Sequence, residues 1–165
     1  MGRSGTIAIL VDAPELIIIV TAYREAPRIA ASLDALAATF PGARIIVADD
    51  HSDDGTDEVV RAHGGAELVR GERNLGKGGI ATLAAERVLP ACAVADPPLV
   101  MLCAGDLGSS AGALTGLVDA VRDGTGDLVV AVFARKVGGG FGFAVGYAHD
   151  AIERLTGLDL RAPIS

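Results

Sequence analysis

Short apolar runs alternate along this chain with segments whose apolar residues recur every three or four positions. Leu16 to Thr21 is a continuous, mostly β-branched run, the pattern of a strand buried on both faces. Pro27 suits the first turn of a helix. From there Ile29, Leu33, Leu36, Ala37 and Phe40 recur at helical spacing until Pro41-Gly42 stops them. Ala43 to Ala48 predicts a second strand. Thr56 is placed to cap a helix that carries Val59 and Val60 and ends at Gly64-Gly65. Glu67 to Arg70 reads as a short strand. It leads into a polar, glycine-rich loop, Gly71 to Gly79, and then a helix from Ile80 to about Leu89. Leu99 to Leu102 is the next strand, Ala113 to Val121 is helical, and Asp127 to Phe133 is a further strand. Gly138-Gly139-Gly140 opens a loop, and a last helix covers roughly Phe143 to Leu155.

Strands alternating with helices predict an α/β fold, a mainly parallel sheet with helices on both faces. No repeat, low-complexity tract or linker interrupts the pattern, so residues 1–165 are expected to form one domain. A domain of this size buries roughly 70% of its unfolded surface, enough for a real core. The chain stops at Arg161-Ala162-Pro163-Ile164-Ser165 without a closing element, and the expectation is the front part of a longer domain.

Charge and composition narrow the partners. A net charge of −7 argues against nucleic acid, which calls for a basic patch. Cys92 and Cys103 make no disulfide framework and read as small buried hydrophobes in a reducing compartment. No apolar run approaches the roughly 18 residues of a transmembrane segment. The opening run Ile7 to Val11 is broken too soon, by Asp12 and Pro14, for a signal peptide. A soluble, cytoplasmic chain is the expectation.

The chemistry concentrates where predicted strands end. Asp49-Asp50-His51-Ser52-Asp53-Asp54-Gly55-Thr56 packs four carboxylates into one turn after the Ile45-Ile46-Val47 run. At the carboxyl end of a buried strand they line the crevice where open α/β sheets take their ligands. Asx-type turns and caps account for Ser52, Asp54, Gly55 and Thr56. They do not account for Asp49-Asp50. Asp50 is the candidate acceptor for a base N–H or ribose hydroxyls, with Asp49 bracing the loop. Thr21-Ala22-Tyr23-Arg24-Glu25 ends the first strand and either meets the same ligand or is an ordinary loop in which Glu25 favours the next helix.

Gly71-Glu72-Arg73-Asn74-Leu75-Gly76-Lys77-Gly78 has the Gly-x4-Gly-Lys spacing of a P-loop, but Gly78 stands where a Ser or Thr would bind Mg2+. Its backbone N–H groups and Lys77 remain able to meet a phosphate. Asp106, in Cys103-Ala104-Gly105-Asp106-Leu107, sits at a strand tip where one carboxylate either holds a hard divalent cation or caps the turn. Arg135-Lys136 neutralises an anion or is solvated surface. His51, His63 and His149 lack metal-ligand spacing, and Ser52, Ser109 and Ser110 lack a nucleophile-elbow context.

In order along the chain these segments resemble the inverting family 2 glycosyltransferases of GT-A fold, including polyprenyl-phosphate sugar synthases. Thr21-Ala22-Tyr23-Arg24-Glu25 is similar to the segment ending their first strand. Asp49 to Thr56 is similar to their Asp-Asp-x-Ser-x-Asp-Gly-Thr turn, Asn74-Leu75-Gly76-Lys77-Gly78 to their Asn-x-Gly-Lys-Gly loop, and Ala104-Gly105-Asp106 to their Asp-x-Asp motif. The likeness covers about Leu16 to Ser165.

The resemblance implies a nucleotide-sugar donor, UDP-sugar before GDP-sugar on family frequency. Ala22, Tyr23, Glu25, Asp50 and Gly105 would lie around its nucleotide, and Lys77 near the base or diphosphate. Asp106 would bind Mn2+ or Mg2+, and Arg135 would lie near the donor phosphates or a phosphate-bearing acceptor. The acceptor would be a hydroxyl or a polyprenyl phosphate. Ala104 replaces the family's first Asp of Asp-x-Asp, and the chain stops where the family continues into acceptor-side elements, so no base is assigned. Two alternatives stand beside a transferase: a catalytically inactive nucleotide-binding or regulatory domain, and a P-loop-like NTPase.

Overall fold

The computed structural model describes residues 15–94 and 97–131. β1 (Leu16–Ala22) is buried along its whole length. It pairs in parallel with β2 (Arg44–Asp49) on one side and β4 (Leu99–Ala104) on the other. β3 (Glu67–Arg70) extends the sheet beyond β2, again parallel, giving the order β3-β2-β1-β4. The uninterrupted Leu-Ile-Ile-Ile-Val stretch of β1 follows from this central place, because both of its faces must be apolar.

The connections are α1 (Ile29–Thr39), α2 (Thr56–His63) and α3 (Gly76–Cys92). The chain steps outward from β1 through β2 to β3, and α3 then carries it back to the far side of β1. Right-handed crossovers in opposite directions place α1 and α2 on one face and α3 on the other. Alternation along the strands matches. Ile17, Ile19, Ile46, Ala48 and Val69 meet Ile80, Ala84 and Val88 of α3. Ile18, Val20, Ile45 and Val47 are buried on the opposite face. Each such aliphatic side chain stabilises the fold by about 1.5–3 kcal/mol when fully buried.

The predicted helix after Pro27 forms, but Ala37 is exposed and Phe40 half-buried, while the polar Ser32 is wholly buried. Thr56 does not cap α2. Gly55, at φ 90°, holds the cap position, and the Asp54 carboxylate accepts the Thr56 N–H at 3.1 Å. The expected loop through Gly79 turns helical at Gly76. Glycine disfavours a helix by about 1 kcal/mol relative to Ala, but burial of Ile80, Ala84 and Val88 pins the downstream turns. The helix predicted over Ala113 to Val121 is a 3-10 helix, Gly108–Leu114, followed by α4, Thr115–Arg122. Residues 127–131 of the expected Asp127 to Phe133 strand are not extended into a ladder. The Gly138 loop and the last predicted helix lie outside the described residues.

Two compact units divide the chain, one up to Thr115 and one from Gly116. The sheet and all the described candidate residues belong to the first. Among the described residues, no helix is long and apolar enough to cross a membrane.

Candidate functional site

The strand order reverses at β1, which has β2 on one side and β4 on the other, and ligands of open α/β sheets bind at such a switch point beyond the strands' carboxyl ends. A cleft of about 450 Å3 opens there. Thr21, Ala22, Tyr23 and Glu25 line it from the end of β1, Asp50 from β2, and Ala104, Gly105 and Asp106 from β4. The first turn of α3 and the residues before it supply Asn74, Gly76, Lys77 and Ile80. Ala22, Tyr23, Glu25, Asp50, Lys77, Gly105 and Asp106, singled out from sequence, thus share one cleft. Arg135 lies outside the described residues. A larger hollow, about 660 Å3, lies beside β3 and α3. None of the candidate residues lines it, and its Arg70 is already paired with Asp49 and Asp57.

The acidic turn is mostly an internal brace. Asp49 is fully buried and accepts from the Ser52 N–H, the Ser52 hydroxyl and Arg70 Nη1, the last at 2.8 Å. Asp53 takes a two-pronged bond from Arg24, 2.7 Å on each side, and Asp54 accepts the Ala26 N–H at 3.1 Å. The Ser52 hydroxyl accepts the Arg24 N–H at 3.0 Å, and the Thr56 hydroxyl accepts the Glu25 N–H at 2.8 Å. This latch ties the β1–α1 loop to the β2–α2 loop. It also holds Arg24 and His51 in the left-handed region, at φ 57° and 61°, a conformation that costs non-glycine residues energy and clusters at binding sites. His51 Nδ1 lies 3.1 Å from the Gly71 carbonyl, a structural contact. The sequence argument that four crowded carboxylates imply ligand chemistry therefore applies to Asp50 alone.

Asp50 differs from its neighbours because it reaches forward. Its Oδ1 accepts the Leu75 N–H at 2.6 Å, and its carbonyl lies 3.4 Å from Asn74 Nδ2. Asn74 Oδ1 accepts the Gly76 N–H at 3.3 Å. Asp50 and Asn74 together set the start of α3, whose first-turn N–H groups have no partners within the helix and carry partial positive charge. Lys77 projects from that turn.

Gly105 sits in close packing. A Cβ there would sit 3.0 Å from Ile29 Cδ1 and 3.3 Å from the Thr21 carbonyl. Sequence reasoning missed two residues. Ser32 reaches from α1 to the Gly105 carbonyl at 2.6 Å and to the Gly108 N–H at 2.9 Å. Arg28 bonds Glu25 at 2.8 Å. A polar residue at a core position of α1 was the available signal for Ser32. Arg28 carried none, being one of many exposed basic residues.

Charges in the site are set by these contacts. The Arg24 hydrogen bond holds the Asp53 carboxyl below the usual range. Burial opposes ionisation of Asp54, but hydrogen bonds from the Thr56 hydroxyl and the Ala26 and Thr56 N–H groups outweigh it and lower its pKa. The Arg28 guanidinium is raised by its bond to Glu25, with the Asp106 charge adding to the effect. Burial pushes the Cys103 thiol up to about 12 although Lys77 pulls the other way.

Among the described residues no three His, Cys, Asp or Glu side chains gather as a self-sufficient metal site. Asp106, exposed at the cleft wall, still fits a hard divalent cation of the kind held by one or two carboxylates with substrate phosphates completing the shell.

A parallel sheet with a cleft over its switch point defines an open α/β domain. The model of glycosyl transferase family 2 matches residues 17–158, and the chain belongs to that family. Its α/β fold is of the GT-A type. No curated protein matches. Among solved structures the chain is similar to the mannosyltransferase PcManGT from Pyrobaculum calidifontis, in complex with GDP-Man and Mn2+. Identity is 30%, the TM-score is 0.41, and the match covers 47% of this chain and 25% of that one. The chain thus spans only a part of that protein's length.

Proposed function

We propose that the cleft is the donor site of a nucleotide-sugar-dependent glycosyltransferase. One observation supports this above the others: candidate residues from four separate segments, Ala22 to Glu25, Asp50, Lys77 and Gly105-Asp106, line one cleft at the switch point. Tyr23 and Asp50 would receive the nucleoside, the ring stacking against a base and the carboxylate accepting N–H or hydroxyl protons. Glu25 and Ala22 would close that side. The diphosphate would lie against Lys77 and the first-turn N–H groups of α3. Asp106 would hold Mn2+ or Mg2+ there, and a cation in that position would offset charge on the departing nucleoside diphosphate. Transfer would be an inverting displacement at the anomeric carbon, onto a hydroxyl or a polyprenyl phosphate. UDP-sugar is the first donor to try and GDP-sugar the second.

One observation favours a second reading. Ala104 lines the cleft where the family places an Asp, so a domain that binds nucleotide without turnover is the alternative. The NTPase reading is weakened by Gly78 and by a Gly-Lys turn that follows the third strand. Thermal-shift titration with UDP, GDP and ATP, each with Mn2+ and with chelator, tests all three. A ligand at a hundred times its Kd adds about 2.7 kcal/mol of stability. A Mn2+-dependent shift with UDP or GDP is expected. No shift with either would defeat the donor-site reading, and a shift with ATP alone would favour the NTPase. Donor hydrolysis or transfer then separates enzyme from binding domain.

A further inference from the structure

We propose that Ser32 is the positioning residue of this site, a buried hydroxyl on α1 that sets the Asp106 loop from beneath. The inference rests on the donor-site reading above and deepens it. Ser32 is fully buried. A serine inside a helix ordinarily turns its hydroxyl back on the carbonyl four residues earlier. Here that contact, to the Arg28 carbonyl, is 3.4 Å, while the Gly105 carbonyl lies at 2.6 Å. A hydroxyl has one proton to give, and the shorter contact takes it. The same oxygen accepts the Gly108 N–H at 2.9 Å. One atom therefore pins the loop on both sides of Asp106.

The loop has further support from the Ser110 hydroxyl, which donates to the Leu107 carbonyl at 2.6 Å, and from the backbone. The Gly105 N–H donates to the Thr21 carbonyl at 2.9 Å, which anchors the loop to the end of β1. Close approach of α1 at Gly105 lets a side chain as short as serine reach it. Asp106 itself is exposed and makes no hydrogen bond among the described residues, so apart from the nearby Arg28 charge its direction follows the backbone that carries it. Groups that orient a metal-binding carboxylate are worth about 10–100-fold in metal affinity. Ser32 acts on Asp106 in that way, through the loop and without touching a ligand.

Two measurements on the full chain test this, with Ser32→Ala as the variant and Thr39→Ala as the control. Thr39 loses a hydroxyl from the same helix that bonds only within it, to the Ala35 carbonyl. UDP and GDP affinities are measured by calorimetry with Mn2+ and with chelator, and amide exchange is followed at Gly108. For Ser32→Ala the expected result is a loss of about tenfold or more in the Mn2+-dependent gain in affinity. Affinity in chelator should be unchanged. Exchange at Gly108 should speed up while the Asp50 N–H, bonded to the Ala22 carbonyl in the sheet region, keeps its protection. Thr39→Ala should change neither. An intact Mn2+ gain, or an equal loss with and without Mn2+, would overturn the proposal. If the wild-type chain binds neither nucleotide, the donor-site reading fails on its own, and Gly108 exchange decides the matter: unchanged protection in Ser32→Ala refutes the clamp, and lost protection upholds it.

Discussion

Asp49 and Asp50 are adjacent carboxylates at one strand end, and their surroundings give them different work. Asp49 faces Ser52 and Arg70, so Asp49→Ala leaves the buried Ser52 hydroxyl without its acceptor and removes one of the two carboxylates paired with Arg70. Urea unfolding should show a loss of about 1–3 kcal/mol, the cost of leaving a buried partner unsatisfied. Asp50 faces the cleft and the head of α3. Asp50→Ala should weaken nucleotide binding more than Asp53→Ala, whose loss removes only an exposed pair with Arg24. Equal and negligible losses by calorimetry would remove Asp50 from the base side of the site. Cys103 is a thiol at any physiological pH, its pKa being about 12. Since the thiolate is the nucleophile, iodoacetamide at mildly alkaline pH should spare it in the folded chain and label it in denaturant. The sequence marked both Asp49 and Asp50 without dividing their roles, because that division depends on Arg70 and Leu75, more than twenty positions away.

At the level of elements, the latch between the β1–α1 and β2–α2 loops depends on ionised carboxylates. Asp53 and Asp54 both titrate below their ordinary 3.8 in the folded chain. A depressed folded pKa gives stability that is complete above the unfolded value and drains away as pH falls through the folded one. Stability should therefore decline in acid below the ordinary carboxylate range, and Asp54→Asn should flatten that decline in melts taken across it. A slope identical to wild type would mean that the latch contributes nothing. The start of α3 offers a different test. A Cβ at Gly78 meets nothing within 4 Å, so Gly78→Ala should stabilise the chain by about 0.5–1 kcal/mol through helix propensity. The strand runs and α1 were legible because burial imposes its period locally. The first turn of α3 was not, since its glycines signal a loop and it is made helical by the packing of Ile80, Ala84 and Val88 and by the bonds from Asp50 and Asn74.

For the whole molecule, the sheet order turns distant segments into one site, and position 104 tests how complete that site is. Ala104 is in register with Thr21 at the cleft. Ala104→Asp adds a second carboxylate beside Asp106 and should enlarge the Mn2+-dependent thermal shift with UDP or GDP, while Asp106→Ala should abolish it. An Asp106→Ala variant with a full Mn2+ response would refute its role as ligand. The sequence by itself determined the α/β alternation, the family, and which residues stand at strand ends, because runs of buried side chains and turn chemistry are written in neighbouring positions. Only the tertiary structure decided which carboxylates are spent on the protein, where α3 begins, and that Ser32 supports the Asp106 loop. The physical reason is that a hydrogen bond is chosen by whatever group the fold brings within about 3 Å, and for Ser32 that group lies 73 positions away along the chain.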